Sequence, residues 1–435
     1  TFGTVGAIAE IVDNSIQWKQ EKKDVDINII FIERDGVVDE VLISDNGVGM
    51  GTVNGSEIID MCLMFGGGTN HGAKANLGKY GVGLPSACCS QSTDYHVYSW
   101  EKKGKIKHKY RNHNDFFQFD TKKGILIKDE PVNDKTFTIE NSFPKYFEDY
   151  IPDLKDYNSG TIVQWKSCDE LSYKRAETLI NHIELKLGRI YRHFIGNGVN
   201  INFRTYSQPK NSSPIRQQDL CKAIRKFDVT FLSKGNNVPA PFDKQATSEQ
   251  FGALYTHKFT DSSGQLHEFK ILATLAKKEI QLPNCQAGGR IGPGPRYKEA
   301  QGISLVRAKR EIKLGTFGYE MNNGASDTRH RWWKIEVQFE PISDRLLGVN
   351  SNKTHAEHFK FISDVNAVGI HSVDYMKLRY ELASKIRNFM DLMWDELMLR
   401  VQQCKESKVK KREQCPKCKN YTLKPNGECA DPNCG

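Results

Sequence analysis

The chain has 435 residues, of which 38% are hydrophobic and 10% aromatic, and its formal net charge is +9. This length exceeds what one hydrophobic core organises and predicts about two to four domains, while no stretch approaches the roughly 18 consecutive apolar residues of a membrane span, so we expect no membrane contact. The positive charge is interspersed with negative charge, which allows nucleic-acid binding without requiring it.

Cysteine usage bears on the cellular compartment. Four of the eleven cysteines crowd into the C-terminal end, and the other seven are scattered. A secreted protein tends to pair scattered cysteines, so the pattern favours a reducing compartment, which is the cytoplasm, or the nucleus in a eukaryote. No signal peptide is visible, and the sequence begins with Thr1 instead of Met, which is compatible with a missing preceding segment.

Helix and strand patterns alternate over the first 165 or so residues. Ile8, Val12 and Ile16 recur at four-residue spacing and predict an opening helix. Strands are expected over 27–32, 38–44, 95–100 and 160–165, and a helix over 84–92. Glycines are so dense between residues 47 and 83 that this segment is predicted to be a long mobile loop.

The remainder of the chain predicts a second domain and a long helix. Leu179, Ile183 and Leu187 indicate a helix that ends at the glycines of 196–198. Strand patterns over 200–204, 268–275, 303–306 and 334–340 then predict a separate α+β domain spanning about 200–365. A helix over roughly 371–404 is expected to pack on this domain, with a dimeric coiled coil as the alternative.

The first helix carries two residues that suit phosphoryl chemistry. Glu10 and Asn14 lie four residues apart, hence on one helix face. Transfer of a phosphoryl group to water needs a base that orients the water and an oxygen ligand for Mg²⁺. A carboxylate and an amide one turn apart supply both, although this pair is common on exposed helices and is weak evidence alone.

A second motif directly follows a predicted strand. In Asp45-Asn46-Gly47-Val48-Gly49-Met50, the carboxylate can accept a hydrogen bond from an adenine amino group, and the glycines let the base approach the backbone. A plain Asp-Asn-Gly turn is the alternative.

Two further pieces complete the pattern. Gly78-Lys79-Tyr80-Gly81-Val82-Gly83 precedes a helix, so that its backbone N–H groups and the helix N-terminus can face phosphates. It is not a Walker loop, because no Gly-Lys-Ser/Thr ends it. Gly160-Thr161 opens a strand, and the Thr161 hydroxyl can reach either the adenine or Asp45.

In order and spacing, these four pieces resemble the GHKL superfamily of gyrase-type ATPases, heat-shock chaperones, histidine kinases and MutL. The resemblance covers about residues 5–166 and implies an α+β chain that opens with a Bergerat-type α/β sandwich binding ATP and Mg²⁺. It implies Glu10 as general base and Asn14 as magnesium ligand. Asp13 is left open between a structural role and a water-mediated nucleotide contact. The remaining implied nucleotide contacts are Asp45, Gly47, Gly49, Met50, Gly78, Lys79, Tyr80, Gly81, Val82, Gly83 and Thr161.

The order of domains resembles the gyrase, MutL, MORC and chaperone branches, in which a transducer domain follows the ATP domain. Residues 302–312 resemble the strand–turn–strand of MORC and chaperone-like members, and 348–354 resemble the loop that presents a switch lysine. The resemblance therefore implies Lys353 as the γ-phosphate contact. We expect an ATP domain at 1–170, a transducer-like (ribosomal S5-like) α+β domain at 171–370 and a long helix with a basic linker at 371–411.

A cysteine module closes the chain at 412–435. Cys415, Cys418, Cys429 and Cys434 supply two short-spaced pairs separated by a loop, which suits a tetrahedral Zn²⁺ in a small zinc ribbon. Two disulfides or a redox pair are the alternatives. The basic run at 405–412 just before the module favours nucleic-acid contact. This indication is modest, because such runs are usually solvated.

Two other clusters have competing interpretations. His355 and His358 lack an evident third metal ligand and are expected to be surface residues. The segment 329–333 mixes arginines with Trp332 and Trp333, as nucleic-acid contacts do, but we prefer a core role for the tryptophans.

The leading hypothesis is a slow ATPase, Mg²⁺-dependent, that forms an ATP-dependent homodimer and acts as a clamp on DNA or nucleoprotein, with further protein partners open. The alternatives are a chaperone-like clamp on client proteins, an ATP-gated interaction module with negligible turnover, and, more weakly, a protein kinase.

Overall fold

The structure is a computed structural model. It describes residues 3–21, 23–53, 55–64, 83–112, 117–120, 124–127, 136–140, 144–208, 217–236, 238–281, 292–319, 328–350, 353–362, 373–412 and 417–418. No helix among these residues is long and apolar enough to span a membrane.

The first half of the chain alternates helices with the strands of one large sheet. In chain order its elements are α1 (Thr4–Gln17), β1 (Val25–Arg34), β2 (Val37–Asp45), β3 (Thr52–Val53), β4 (Ser56–Glu57), α2 (Ile58–Met61), α3 (Gly83–Cys89), β5 (Ser92–Trp100), β6 (Lys105–Asn112), β7 (Phe117–Asp120), β8 (Gly124–Ile127), β9 (Thr136–Glu140), α4 (Phe147–Tyr150), β10 (Gly160–Cys168), α5 (Ala176–Ile190), β11 (Val199–Gln208) and β12 (Gln217–Ala223).

The large sheet has eight described strands in the order β12-β11-β1-β2-β10-β5-β6-β9. The β1–β11 pair is parallel, with Val25 opposite Val199, and the other neighbours are antiparallel. Two small hairpins, β3–β4 and β7–β8, stand apart from it. The strand that ends at Asp45 therefore lies in the interior of the sheet.

Both faces of this sheet are covered, because its central strands are apolar on both sides. On one face Ile27, Ile29 and Phe31 of β1 pack beneath α1, α3 and α5. On the other face Ile30 and Ile32 pack against α4 and the segment that follows it. The helical layer places α1 over the ends of β2 and β10.

The second half of the chain builds a second sheet and core. Its elements are β13 (Ser248–Gln250), β14 (Tyr255–Thr260), β15 (Leu266–Ala276), α6 (Lys278–Gln281), α7 (Gly294–Glu299), β16 (Gly302–Arg307), β17 (Arg310–Gly315), β18 (Trp333–Phe339), α8 (Asp344–Leu347) and α9 (Asp374–Arg412). The strand order is β13-β15-β18-β16-β17, with β14 paired to β15. Short 3₁₀ turns occupy Leu154–Asp156, Thr328–Trp332 and Pro341–Ser343.

The long helix belongs to the second core. Leu378, Leu382, Ile386, Met390 and Met393 of α9 are buried among residues of β15 and β18. The helix α9 therefore packs on the second domain, which was the preferred interpretation of its sequence pattern. Trp332 and Trp333 are buried in the same core, as preferred.

Several expected elements differ from those observed. The helix expected over 84–92 ends at Cys89, and β5 begins at Ser92, because Ser90 and Gln91 form a turn that leads into the strand. The glycine-rich segment predicted to be a loop contains the β3–β4 hairpin and α2, whose Ile59 is buried. A few apolar side chains between glycines were sufficient for these short elements.

The first sheet also extends beyond the boundary expected at residue 170. Both β11 and β12 belong to it, and α5 packs in its core. Among the scattered cysteines, Cys88, Cys89, Cys168 and Cys221 are free thiols, whereas Cys404 is disulfide-bonded and departs from the expectation of unpaired cysteines.

Candidate functional site

Asp45 ends β2 with its side chain buried beneath α1. The Ser15 hydroxyl of α1 donates to Asp45 Oδ2 over 2.8 Å, and the Gly47 N–H donates to Asp45 Oδ1 over 2.9 Å. Burial raises the pKa of Asp45, and the hydrogen bonds from Ser15, Gly47 and the Thr161 backbone partly offset this rise. The carboxylate is thus fixed in orientation at the edge of the helical layer.

The glycines around Asp45 mark close backbone approaches. A Cβ on Gly49, whose φ is +75°, would lie 2.1 Å from the carbonyl oxygen of Trp100. A Cβ on Gly47 would lie 2.8 Å from the carbonyl oxygen of Trp18, and one on Gly160 would lie 2.3 Å from that of Asp45. The motif glycines are therefore required by packing within the protein itself.

Two side chains missed in the sequence hold this loop in place. Gln20 Nε2 donates to the Asn46 carbonyl over 3.0 Å, and the Ser159 hydroxyl donates to the Gly47 carbonyl over 2.7 Å. Ser159 directly precedes the Gly-Thr pair, but a serine next to a strand carries no specific signal.

Thr161 lies directly opposite Asp45 in the β10–β2 pairing. Its hydroxyl is 2.9 Å from the Ser99 hydroxyl, and Ser99 in turn accepts the Met50 N–H over 2.8 Å. Contact from Thr161 to Asp45 comes from the backbone, not from the hydroxyl. Met50 contacts the first core with its side chain.

Glu10 lies on α1, between one and two turns before Ser15, and its buried side chain faces the first residue of α3. A Cβ on Gly83 would lie 2.3 Å from Glu10 Oε2, so the carboxylate occupies the space that Gly83 leaves open. Glu10 Oε1 is buried and has no hydrogen-bond partner among the described residues. A carboxylate oxygen in this state can accept a proton or hydrogen bond from an added molecule.

Lys353 is brought to Glu10 across more than three hundred residues of sequence. Its Nζ lies 3.2 Å from Glu10 Oε2 and 2.7 Å from Asp13 Oδ2. The lysine is buried, with only 5% of its surface exposed, and its backbone adopts a left-handed φ of +51°. The residue predicted to face the phosphates therefore meets the residue predicted to be the base.

Asp13 has two further partners that the sequence did not reveal. Arg310 Nε donates to Asp13 Oδ1 over 2.8 Å, and the Tyr191 hydroxyl donates to the same oxygen over 2.8 Å. The contacts agree with the structural role left open for Asp13. Arg310 lies in the 302–312 segment singled out in the sequence, but no spacing rule connects it to α1.

Charge and burial act oppositely on the two carboxyl groups. Burial raises the pKa of Glu10, and the Lys353 ammonium offsets part of that rise. Burial alone would also raise the pKa of Asp13, but Arg310 and Lys353 outweigh it and hold that pKa below its usual value. Asp13 therefore has the lower pKa of the two carboxyl groups.

Other predicted site residues are only partly described. Asn14 lies half-exposed on α1, next to Asp13. Gly78, Lys79, Tyr80, Gly81 and Val82 lie outside the described residues.

The same limit applies to the predicted zinc ligands. Cys415, Cys429 and Cys434 lie outside the described residues, and Cys418 is inside them. Across the described part of the chain, no group of three or more His, Cys, Asp or Glu side chains is arranged to hold a metal ion. His355 is exposed, whereas the ring of His358 stacks on Tyr375 with centroids 4.1 Å apart.

Comparison with known proteins identifies the first domain. Residues 3–141 match the family model described as histidine kinase-, DNA gyrase B- and HSP90-like ATPase. The superfamily predicted from the motifs is thus confirmed for these residues, and ATP with Mg²⁺ is typical of it. No curated protein matches the chain.

A solved structure entitled "Crystal Structure of N terminal domain of a DNA repair protein" is similar at 13% identity and a TM-score of 0.42, covering 89% of this chain and 94% of its own. A likeness this distant does not indicate function.

Proposed function

We propose that this chain is a Mg²⁺-dependent ATPase that works as an ATP-gated switch, with Glu10, Asn14 and Asp45 in the nucleotide site and Lys353 as the γ-phosphate contact. The observation that carries the proposal is the buried Glu10 carboxylate, whose Oε1 has no partner among the described residues and whose Oε2 meets Lys353. The match of residues 3–141 to an ATPase family supports it.

The adenine end is assigned to the Asp45 loop. The Asp45 carboxylate accepts from Ser15 and Gly47, and these contacts leave acceptor capacity for an exocyclic amino group. Gly47 and Gly49 let a flat base approach the backbone, and Thr161 lies beside Asp45 on the neighbouring strand. Met50 borders this pocket.

The phosphate end is assigned to Glu10, Asn14, Lys353 and the Gly78–Gly83 segment. ATP is the phosphoryl donor, and a Mg²⁺ ion held beside its phosphates would offset their negative charge. Glu10 Oε1 orients the attacking water and accepts its proton, and the Asn14 amide oxygen ligates the metal. The Lys353 ammonium makes a charge-assisted contact with the terminal phosphate, because a buried cation near that group is strongly favoured.

Replacing Glu10 by the isosteric glutamine tests this assignment. Glu10→Gln should bind a fluorescent ATP analogue with nearly wild-type affinity but release phosphate about 100-fold more slowly or worse, because a general base contributes about that much. Asp45→Asn should instead lose binding. Glu148→Gln, on the exposed surface of α4, is the matched control and should behave as wild type. An unchanged rate in Glu10→Gln would show that another group is the base.

We also place the partner of the switch among nucleic acids. The net charge of +9 and the basic run at 405–412, which forms the last turns of α9, support this assignment. DNA affinity should then fall steeply with salt, since neutralised phosphates release counterions. Absent or salt-independent binding would instead favour the chaperone-like clamp on client proteins. Undetectable ATP turnover in the wild type would favour the ATP-gated interaction module.

The cysteine module remains a separate proposal. Cys415, Cys418, Cys429 and Cys434 would bind one Zn²⁺ as a closed structural site, because four thiolates within a short segment suit its tetrahedral preference. Metal analysis of the purified chain should find one zinc ion per molecule, and loss of that ion when Cys418 is replaced by serine.

A further inference from the structure

Arg310 is a buried arginine that links two distant segments of the chain. It begins β17 directly after a tight turn in which Ala308 and Lys309 both have positive φ, +45° and +68°. This turn aims the strand at α1 of the first domain, and only 3% of the Arg310 surface is exposed. A guanidinium this deeply buried needs several acceptors to offset its lost hydration.

Two of its acceptors belong to the proposed ATP site. Nε of Arg310 donates to Asp13 Oδ1 over 2.8 Å, and Nη1 donates to the backbone carbonyl of Lys353 over 3.0 Å. The planar fork of a guanidinium can meet both acceptors from two separate nitrogens at fixed angles, whereas the donors of an ammonium all lie on one nitrogen. One side chain thus fixes both the helix that carries Glu10 and the backbone that carries Lys353.

The position of Asp13 makes this contact relevant to the reacting groups. It lies three residues after Glu10 and directly before Asn14, so anchoring it fixes how α1 presents both. Tyr191, which follows α5, lies against the same turn, with its hydroxyl 2.8 Å from Asp13 Oδ1 and 2.7 Å from the Ala9 carbonyl oxygen, and it donates its single proton to one of these two acceptors at a time. The helix is therefore held from the first domain by a hydroxyl and from the second by a cation.

The four charged groups of this cluster balance, with two carboxylates, one ammonium and one guanidinium. In the proposed function the Lys353 side chain moves, so that its ammonium leaves Glu10 and Asp13 and contacts the terminal phosphate. Arg310 then remains as the cation on Asp13, and it still holds the Lys353 carbonyl. The cluster consequently contains one exchangeable cation, Lys353, and one fixed cation, Arg310.

From this geometry we infer that Arg310 is a positioning residue of the ATPase, which sets the place of Lys353 relative to Glu10 without touching the nucleotide. The inference deepens the proposed function and rests on it for the effect on turnover. Its structural half, that Arg310 keeps the Lys353 backbone in place, stands without any nucleotide.

The test is Arg310→Lys, which keeps the charge but cannot span both acceptors. Turnover should fall between about 10-fold and 100-fold, the range expected when a reacting group is misplaced by about an ångström. Affinity for a fluorescent ATP analogue should change little, because the Asp45 end is untouched. Supplying guanidinium ions to Arg310→Ala should restore part of the lost turnover.

A second measurement needs no nucleotide. Lys353 is buried, so an amine-acylating reagent should modify it slowly in the wild type, as followed by peptide mass spectrometry. In Arg310→Lys the modification of Lys353 should become several-fold faster while other lysines react as before. Because this measurement is made without ATP, it tests the positioning of Lys353 by Arg310 separately from the ATPase assignment.

Arg400→Lys is the matched control. Arg400 is likewise buried and likewise bridges a carboxylate, Glu249, and a backbone carbonyl, that of Ala276, but it does so on α9. It should leave both turnover and Lys353 labelling near wild type. Wild-type turnover and wild-type Lys353 labelling in Arg310→Lys would overturn the inference, as would equal effects in Arg400→Lys. No turnover in the wild type, together with faster Lys353 labelling in Arg310→Lys, would overturn the ATPase instead.

Discussion

Glu10 and Lys353 form a direct ion pair in which the proposed base and the proposed phosphate contact satisfy each other. Burial raises the pKa of Glu10, and the adjacent ammonium offsets part of that rise, because a neighbouring positive charge favours the ionised carboxylate. At the same time the Lys353 ammonium engages one oxygen of the Glu10 carboxylate, Oε2. Withdrawal of Lys353 toward a phosphate would therefore both release Glu10 and increase its basicity.

This coupling predicts a shift in the pH dependence of turnover. Glu10 must be deprotonated to act as base, and its pKa is raised by burial, so turnover should fall as pH decreases at values above the usual glutamate range. Lys353→Gln removes the interaction that lowers this pKa in the nucleotide-free enzyme, so the acidic limb of its kcat/KM profile, which reports the free enzyme, should move to higher pH. An acidic limb that stays in place or moves to lower pH in Lys353→Gln would contradict the coupling.

The motif residues of the candidate site carry a local signal in the sequence, whereas the contacts that organise them do not. Glu10, Asn14 and Asp45 sit in short stretches whose spacing carries the signal. Ser15, Tyr191 and Arg310 reach the site through long-range contacts, and nothing local to them indicates a partner on α1. Side chains that position other side chains are chosen by geometry, which single-sequence patterns do not encode.

Among the elements, the junction between α5 and the second sheet contains a buried arginine that bridges two glutamates. Arg192, just after α5, donates to Glu336 on β18 over 2.6 Å and to Glu311 on β17 over 2.7 Å. Burial alone would raise the pKa of both glutamates, but Arg192 outweighs burial and holds both below their usual value. The two domains thus meet through a buried network of charges.

Arg192→Met should consequently be strongly destabilising. It removes the cation that both buried carboxylates share and leaves Glu311 with Arg189 and Glu336 with His193. Urea unfolding should show a cost of about 3 kcal/mol at pH 7, the lower end of the range for a broken buried ion pair. Because the glutamate pKa values are depressed, the network stabilises the fold above the ordinary value of 4.5 and loses this contribution as pH falls below it. The difference in unfolding free energy between wild type and Arg192→Met should therefore decrease as the pH falls below 4.5.

Lys155→Met is the control for this measurement. It removes an ion pair with Glu148 at the surface, where solvent screens the interaction, so the urea midpoint should not change measurably. If the urea midpoint of Arg192→Met shifted as little as that of Lys155→Met, the result would contradict a buried network at the junction.

Element types were largely predictable and their pairing was not. The periodicity that predicted α1, β1, β2, α5 and α9 is local, and the observed bounds lie within a few residues for most of them. The inclusion of β11 and β12 in the first sheet depends on the parallel pairing of β1 with β11. Parallel pairing joins segments far apart in sequence, and hydrophobic patterns do not specify which strand is the neighbour.

At the scale of the whole molecule, the proposed switch connects the two domains through a single short loop. The Lys353 loop lies between α8 and α9, and the buried side chains of α9, from Leu378 to Leu397, belong to the second core. Leu347, Ala356 and Phe359 on either side of Lys353 belong to that core, so in the proposed function a movement of Lys353 toward a phosphate would act on the second domain. A change of that kind in each of two molecules can open or close a shared interface.

We therefore expect nucleotide-dependent dimerisation. Light scattering on the wild type should give a monomer of about the chain mass, 49.5 kDa, without nucleotide and twice that value with Mg²⁺ and a non-hydrolysable ATP analogue. Lys353→Gln should bind the analogue and remain monomeric, because the contact that relays binding to the second domain is lost. An unchanged mass of the wild type with analogue bound would contradict the clamp.

The parallel pairing of β1 with β11 also constrains synthesis on the ribosome. Val25–Arg34 leaves the exit tunnel long before Val199–Gln208, its partner strand, has been made. At about 5–20 residues per second the first strand waits roughly ten to thirty seconds with an unpaired, strongly apolar edge. A nascent chain of this protein should therefore need chaperone protection during that interval, and gene fragments that end near residue 170 should yield aggregated polypeptide.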